Sequence, residues 1–261
     1  MRKPIYANNL DLSMVTYKPP RDLPNGGSVV YMNFEDGPIT LQTPNMFCPF
    51  GLKDWKGNEN YTLDISFKGR ETDPKMKAFY DKMVELDDKM LDDCVTNGTL
   101  WLKKKIDSKS VAGIIYTKQV KFARDKNGNI DERFPPTFKL KVPYKDGRFV
   151  PDVFDKTREL IDLNDVDTKG ANITAIIQCT GIWTAGGKYG LGWKIMQMLI
   201  TPPVSKKFAF LDLDEEDEPI PVANMNKFAK LAIKDKPAFK KKVDDDDEDS
   251  DEVEDSDEDS D

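Results

Sequence analysis

Apolar and polar residues alternate with a period of two along several short stretches, the mark of strands with one buried face. The clearest runs over residues 61–68, where Tyr61, Leu63, Ile65 and Phe67 alternate with Thr62, Asp64, Ser66 and Lys68. Residues 28–34 and 39–42 flank the turn Glu35-Asp36-Gly37-Pro38. Further strands are predicted over 114–122, 138–144, 173–183 and 189–200, with turn-rich joints at 125–129, 145–147 and 185–187. In one place the period lengthens. Met76, Phe79, Tyr80, Met83, Leu86, Met90, Leu91 and Cys94 recur at steps of three and four, which makes the single apolar face of a helix. Asp73 suits its N-cap, Pro74 its first position, and Asn97-Gly98 its end. Five or more strands with one long inserted helix must close or be covered. The expected fold is therefore mainly β, an OB-type barrel.

Four segments follow from the pattern. Residues 1–27, polar and rich in Pro, Asn and Gly, are expected to form a flexible arm. Residues 28–211 form the barrel core. Residues 212–243 are a linker with a short helix over 222–233 and the cluster Lys240-Lys241-Lys242. Residues 244–261 hold 14 Asp or Glu and no Lys or Arg, so they cannot bury enough apolar surface to order themselves and are expected to stay disordered.

Charge changes the picture. The whole chain carries −8, but residues 1–243 carry +6, a mildly basic body joined to a tail of −14. Such a body suits a polyanion, and such a tail suits that same basic surface or a basic partner. The 261 residues include no histidine, the commonest general base and metal ligand. Cys48, Cys94 and Cys179 form no CxxC pair, which speaks against a zinc site and a disulfide framework and for a reducing, intracellular setting. No apolar run nears the roughly 20 residues of a membrane span. Nucleophile, metal and phosphate-loop motifs are missing. The run Gly186–Gly192 lies between strands and opens no helix, so it is expected to be a flexible hairpin. No enzyme, cofactor or metal is expected.

Cations and rings interleave on the predicted strands. Phe138, Leu140, Val142 and Tyr144 share one face, with Lys139, Lys141 and Lys145 on the other. Tyr116, Lys118 and Lys121 lie on a second segment, and Trp183, Lys188, Tyr189 and Lys194 around the hairpin. Lys103-Lys104-Lys105 follows Trp101, and Trp193, alternating with Leu191 and Ile195, is assigned to the core. Single-stranded nucleic acid is held by this mixture of backbone-tracking cations and stacking rings. The candidate contacts are Tyr116, Lys118, Lys121, Lys139, Lys141, Trp183, Lys188, Tyr189 and Lys194. In the tail, Asp244, Asp245, Asp246, Asp247, Glu248 and Asp249 form a polyanion, and Ser256 before Asp257-Glu258-Asp259 looks like an acidophilic-kinase site.

The helix TDPKMKAFYDKMVELDDKMLDDCV, the strand pair ITAIIQCTGIWTAGGKYGLGWKIMQMLI and the tail DDDDEDSDEVEDSDEDSD, in this order, resemble the single-stranded DNA-binding proteins of tailed phages and large DNA viruses. The resemblance implies an OB-fold, non-catalytic binding of single-stranded DNA in viral replication, recombination and repair, and self-association as a homodimer. It also implies tail contacts with DNA polymerase, helicase or other replication proteins, and residence at the virus replication site. The alternative is an acidic-tailed, β-rich chaperone of histones or other basic proteins. The +6 body favours nucleic acid over that alternative.

Overall fold

Two strands of 14 residues, Asn172–Ala185 (β4) and Lys188–Thr201 (β5), form a hairpin turned by Gly186-Gly187, both at positive φ as a two-residue loop requires. In the computed structural model, which describes residues 3–24, 26–54 and 57–203, this hairpin is the wall of a closed barrel. Three other strands complete it: β1, broken into Thr40–Gln42 and Met46–Phe47, β2 (Tyr61–Ser66) and β3 (Thr137–Lys141). β1 pairs with β2 at Phe47–Ser66, and β2 pairs antiparallel with β3 from Thr62–Lys141 to Ser66–Thr137. β3 runs parallel to β5 at Lys141–Lys194, β5 pairs antiparallel with β4, and β4 returns to β1 at Ile177–Leu41 and Ile173–Met46. The order 1-2-3-5-4-1 with one parallel contact is that of an OB barrel.

Curvature comes from two irregularities in the β4–β5 ladder, at Ile176/Ile177 and Cys179/Gly181. Gly181 is required at the second: its φ is +106°, and a Cβ there would lie 2.5 Å from the Val30 carbonyl oxygen. Inward residues of every strand, among them Leu41, Leu63, Ile65, Phe138, Leu140, Ile177 and Ile195, are buried.

The long helix α1 (Pro74–Leu102) is inserted between β2 and β3. Asp73 caps it, accepting from the Lys75 and Met76 amides at 2.8 and 3.3 Å. Its predicted stripe is buried at Met76, Phe79, Met83, Leu86, Met90 and Cys94, with Phe79 edge-on to Phe138. The helix outruns the expected stop at Asn97-Gly98 by a turn and ends before Lys103, in the left-handed region at φ 55°. Gly98 is there for close approach rather than for termination: a Cβ would meet Ile106 Cγ1 at 2.7 Å.

Two expectations are corrected. The N-terminal arm is built onto the barrel: Ile5–Tyr6 pairs in parallel with β1, Val15–Tyr17 pairs with Met32–Phe34, and Ala7, Leu10, Leu12 and Val15 are buried. Tyr17 donates to Asp93 of α1. Those apolar residues are spaced irregularly among Pro and Asn, so no single period exposes them. The predicted strand over 114–122 begins instead as a short helix, α2 (Lys109–Ile115), because Ser108 caps it through the Val111 amide. Only Tyr116–Thr117 and Val120–Lys121 are strand. Among the described residues no helix is long and apolar enough to cross a membrane. The linker, the expected helix over 222–233 and the acidic tail, with Asp244 to Asp249 and Ser256, lie outside the described residues.

Candidate nucleic-acid interface

On β2 and β3 the inward positions are apolar, so the outward ones form a second surface. Its cross-strand pairs are Thr62–Lys141, Asp64–Lys139 and Ser66–Thr137. The Thr62–Lys141 row continues on both sides, to Lys53 of the short strand Leu52–Asp54 and to Lys194 of β5. Three lysines thus stand in line across one sheet face. One carboxylate lies beneath them: Asp64, 9% exposed in its side chain, accepts from Lys53 at 3.1 Å and Lys139 at 3.0 Å. A single buried charge organises two cations and leaves their sum positive.

Lys121 joins from the side. It pairs in register with Thr137, one step from Lys139 on the same face. Its surroundings partly withdraw the ammonium from water, and the Lys139 charge adds to this, so its pKa lies below the ordinary lysine value despite a partial offset from Asp64. Its side chain still keeps an exposed surface. A cation held against repulsion gains from any anion placed between it and its neighbour.

Lys118, Lys121, Lys139, Lys141 and Trp183 border one cleft of about 220 Å³, whose floor includes Phe138 and Trp193. Trp183, half-buried on β4, lies over Gly190 of the facing strand, where a Cβ would come within 2.7 Å of its ring. Glycine at 190 is therefore the seat of the indole. The wall carrying Lys118 and Lys121 is held by Asp87, a buried carboxylate of α1. Asp87 accepts from Tyr116 Oη at 2.7 Å, Gln119 Nε2 at 3.0 Å, and the amides of Gln119 and Val120 at 3.1 and 3.4 Å. Gln119 Oε1 in turn accepts from Trp193 Nε1. This network ties helix, wall and cleft floor together, and it splits the predicted strand because backbone amides there serve a side chain instead of a ladder.

Of the nine predicted residues, five therefore meet at one cleft, and Lys194 extends their lysine row. Lys188 stands apart, on a different cleft beside the hairpin tip. Tyr116 and Tyr189 are corrections. They are 8% and 0% exposed, pack against each other at a tilt with ring centroids 4.9 Å apart, and spend their hydroxyls on Asp87 and the Met90 carbonyl. Burial raises both phenol pKa values. Neither offers a face to a base. Trp193 is core, as expected.

Sequence reasoning missed Phe50 and Lys53, which lie in the connection between β1 and β2, Lys53 on its short strand Leu52–Asp54. Phe50 is 52% exposed, and Lys53 Nζ lies 4.1 Å from its ring centroid. The adjacent pairing of ring and cation was the available signal, but only the register with Thr62 places it beside Lys141. The three cysteines are free and buried, and burial pushes the Cys179 thiol up to about 12. Among the described residues no His, Cys, Asp or Glu side chains group as metal ligands would.

The family of unknown function DUF5871 matches residues 64–212. No curated protein sequence matches the chain. Solved structures similar to it include the single-stranded DNA-binding protein from bacteriophage Enc34 in complex with single-stranded DNA. That likeness has 14% identity and a TM-score of 0.41, and covers 74% of this chain and 99% of that one. A second is gp2.5, a single-stranded DNA-binding protein encoded by bacteriophage T7, at 10% identity and a TM-score of 0.40, covering 71% and 100%.

Proposed function

The chain belongs to the DUF5871 family of unknown function, and we propose that it binds single-stranded DNA without sequence preference and without catalysis. The observation that carries this is the lysine row on the outer face of β2 and β3, bordering a cleft with a half-buried indole. Cations at successive strand positions match a phosphate backbone, and an indole beside them offers a stacking face that accepts any base. A duplex keeps its bases stacked inside and cannot use that ring. The OB barrel presents this face and the β1–β2 loop together, a geometry suited to extended strands.

The sequence resemblance extends the proposal to replication, recombination and repair of viral DNA, with polymerase or helicase as partners of the acidic tail. Fourteen negative charges tethered to the body act at an effective concentration on the order of millimolar. They compete with DNA for the lysine row, and DNA frees them for basic partner surfaces. A phosphate on Ser256 adds about −1.5 to −2 charges to that competition.

Labelled oligo-dT and a duplex of equal length, each titrated into the full chain, test the proposal. Tighter binding of the single strand is expected. The chain ended after Val243 is expected to bind still more tightly, most clearly at low salt, where screening is weakest. Equal affinity for both nucleic acids contradicts single-strand binding, and preference for added histones over either supports the chaperone alternative. Equal affinity with and without residues 244–261 contradicts the tail's competition.

A further inference from the structure

The connection from β1 to β2 is pinned to the barrel on both sides of Phe50. Before it, Cys48 donates its amide to the Ala171 carbonyl and accepts from the Gly170 amide, both at 2.8 Å. After it, the Leu52 amide donates to the hydroxyl of the buried Thr168 at 2.8 Å. Between these anchors Gly51 turns the chain at φ +71°, so closely packed that a Cβ would lie 3.1 Å from Lys169. Phe50 is thus held out in solvent by a fixed backbone rather than left on a loose tip. Exposed rings on rigidly positioned loops are where binding residues concentrate. Register places this one beside the first cleft. Lys53, whose ammonium lies over the Phe50 ring, pairs with Thr62, and Thr62 borders the cleft that holds Trp183. One strand spacing, about 5 Å, separates Lys53 from that border. Farther along the outward face of β2, Phe47 pairs with Ser66, and Lys68 Nζ lies 5.4 Å from its ring centroid. Rings with cations therefore line β2 on its β1 side, and Lys139 and Lys141 line it on its β3 side.

We propose that Phe50 is a second base-stacking station, and that a single strand leaving the Trp183 cleft crosses β2 to reach it. One base stacks on the phenyl ring, Lys53 meets the flanking phosphate, and Lys139 and Lys141 hold the backbone on the way. A phenyl ring has no donor or acceptor, so the station takes any base. The exposed Lys53–Phe50 contact is worth only about 0.5–1 kcal/mol, little enough for a base to displace the ammonium from the ring. The inference rests on the single-strand reading and adds to it a direction of travel, from β4 across β3 and β2 to the β1 side.

The test uses the full chain and two probes: oligo-dT of about 16 nucleotides, and an abasic strand of the same length with the same phosphodiester backbone. Phe50→Ala is expected to bind oligo-dT roughly tenfold more weakly with an unchanged salt slope, since a ring neutralises no phosphate, and to bind the abasic strand as wild type does. Phe50→Tyr, which keeps a stacking face, should bind oligo-dT as wild type does. Lys53→Gln should weaken both strands alike and make the salt slope shallower by about 0.7. Because the ring is exposed, Phe50→Ala is expected to melt no lower than wild type. If it does melt lower, Phe50→Leu, which keeps apolar bulk without a π-face, decides by the same two probes. Wild-type affinity of the folded variant for oligo-dT overturns the station, as does an equal loss on both strands, which would show the ring acting through the fold instead of on a base. Where Trp183→Ala weakens oligo-dT binding and Phe50→Ala does not, the station alone fails. Failure of wild type to bind either strand overturns the single-strand reading and the station with it.

Discussion

Replacing Trp183 with alanine is expected to weaken binding of oligo-dT by about 1–3 kcal/mol, or roughly 5- to 150-fold. The indole stands beside Lys118, Lys121, Lys139 and Lys141 and is the ring the fold leaves half-exposed at their cleft. Trp183→Phe keeps a stacking face and should retain most of the affinity. Because the ring also packs over Gly190, melting curves must accompany the titrations. An alanine variant that stays folded and binds as wild type removes Trp183 from the interface.

The largest stability effect is expected at Asp87. Its replacement by alanine strands the Tyr116 hydroxyl, the Gln119 side-chain amide and two backbone amides, all on buried residues. Buried donors without partners cost about 1–3 kcal/mol each where the site cannot relax. A total of about 4 kcal/mol, the lower end of that range for four donors, is expected, a fall in melting temperature on the order of 10 °C for a chain of this size. Below that temperature the variant should also bind DNA more weakly, since residues 118–121 lose their anchor. Asp87→Asn keeps one acceptor oxygen and should fall between. A melting temperature within 2 °C of wild type, about 0.5–1 kcal/mol at this size, for the alanine variant would show that the network is not what holds this wall.

Much of the barrel is legible in the sequence because its strands obey one period. Residues 61–66, 137–141 and the 172–201 hairpin emerge directly from alternation, and α1 from its Met-rich stripe and Asp73-Pro74 start. What escapes does so for local physical reasons. The N-terminal arm is recruited by pairing with the strands Met32–Phe34 and Thr40–Gln42, which composition does not record. Gly98 looks like a helix stop until Ile106 is seen against it. Residues 114–122 are apolar enough for a strand, but Ser108 and Asp87 draw the backbone into other bonds.

At the candidate site, alternation places Lys139 and Lys141 correctly on the outward face. It fails for Tyr116, a lone ring with no period to say which side is covered, whereas Tyr189 alternates with Leu191, Trp193 and Ile195 and its burial is legible from that alternation. α1 covers them. Lys53 is invisible without register, and the buried Asp64 that pairs with it looks in the sequence like an ordinary exposed position.

The central claim is that the β2–β3 lysine face tracks a phosphate backbone. The salt dependence of oligo-dT affinity, measured for wild type and for the triple variant Lys121→Gln, Lys139→Gln, Lys141→Gln, tests it most directly. If each lysine neutralises one phosphate, the slope of log K against log salt becomes shallower by about 2 in the triple variant. The affinity should fall alike for all single-stranded sequences. An unchanged slope in a folded triple variant would contradict the claim.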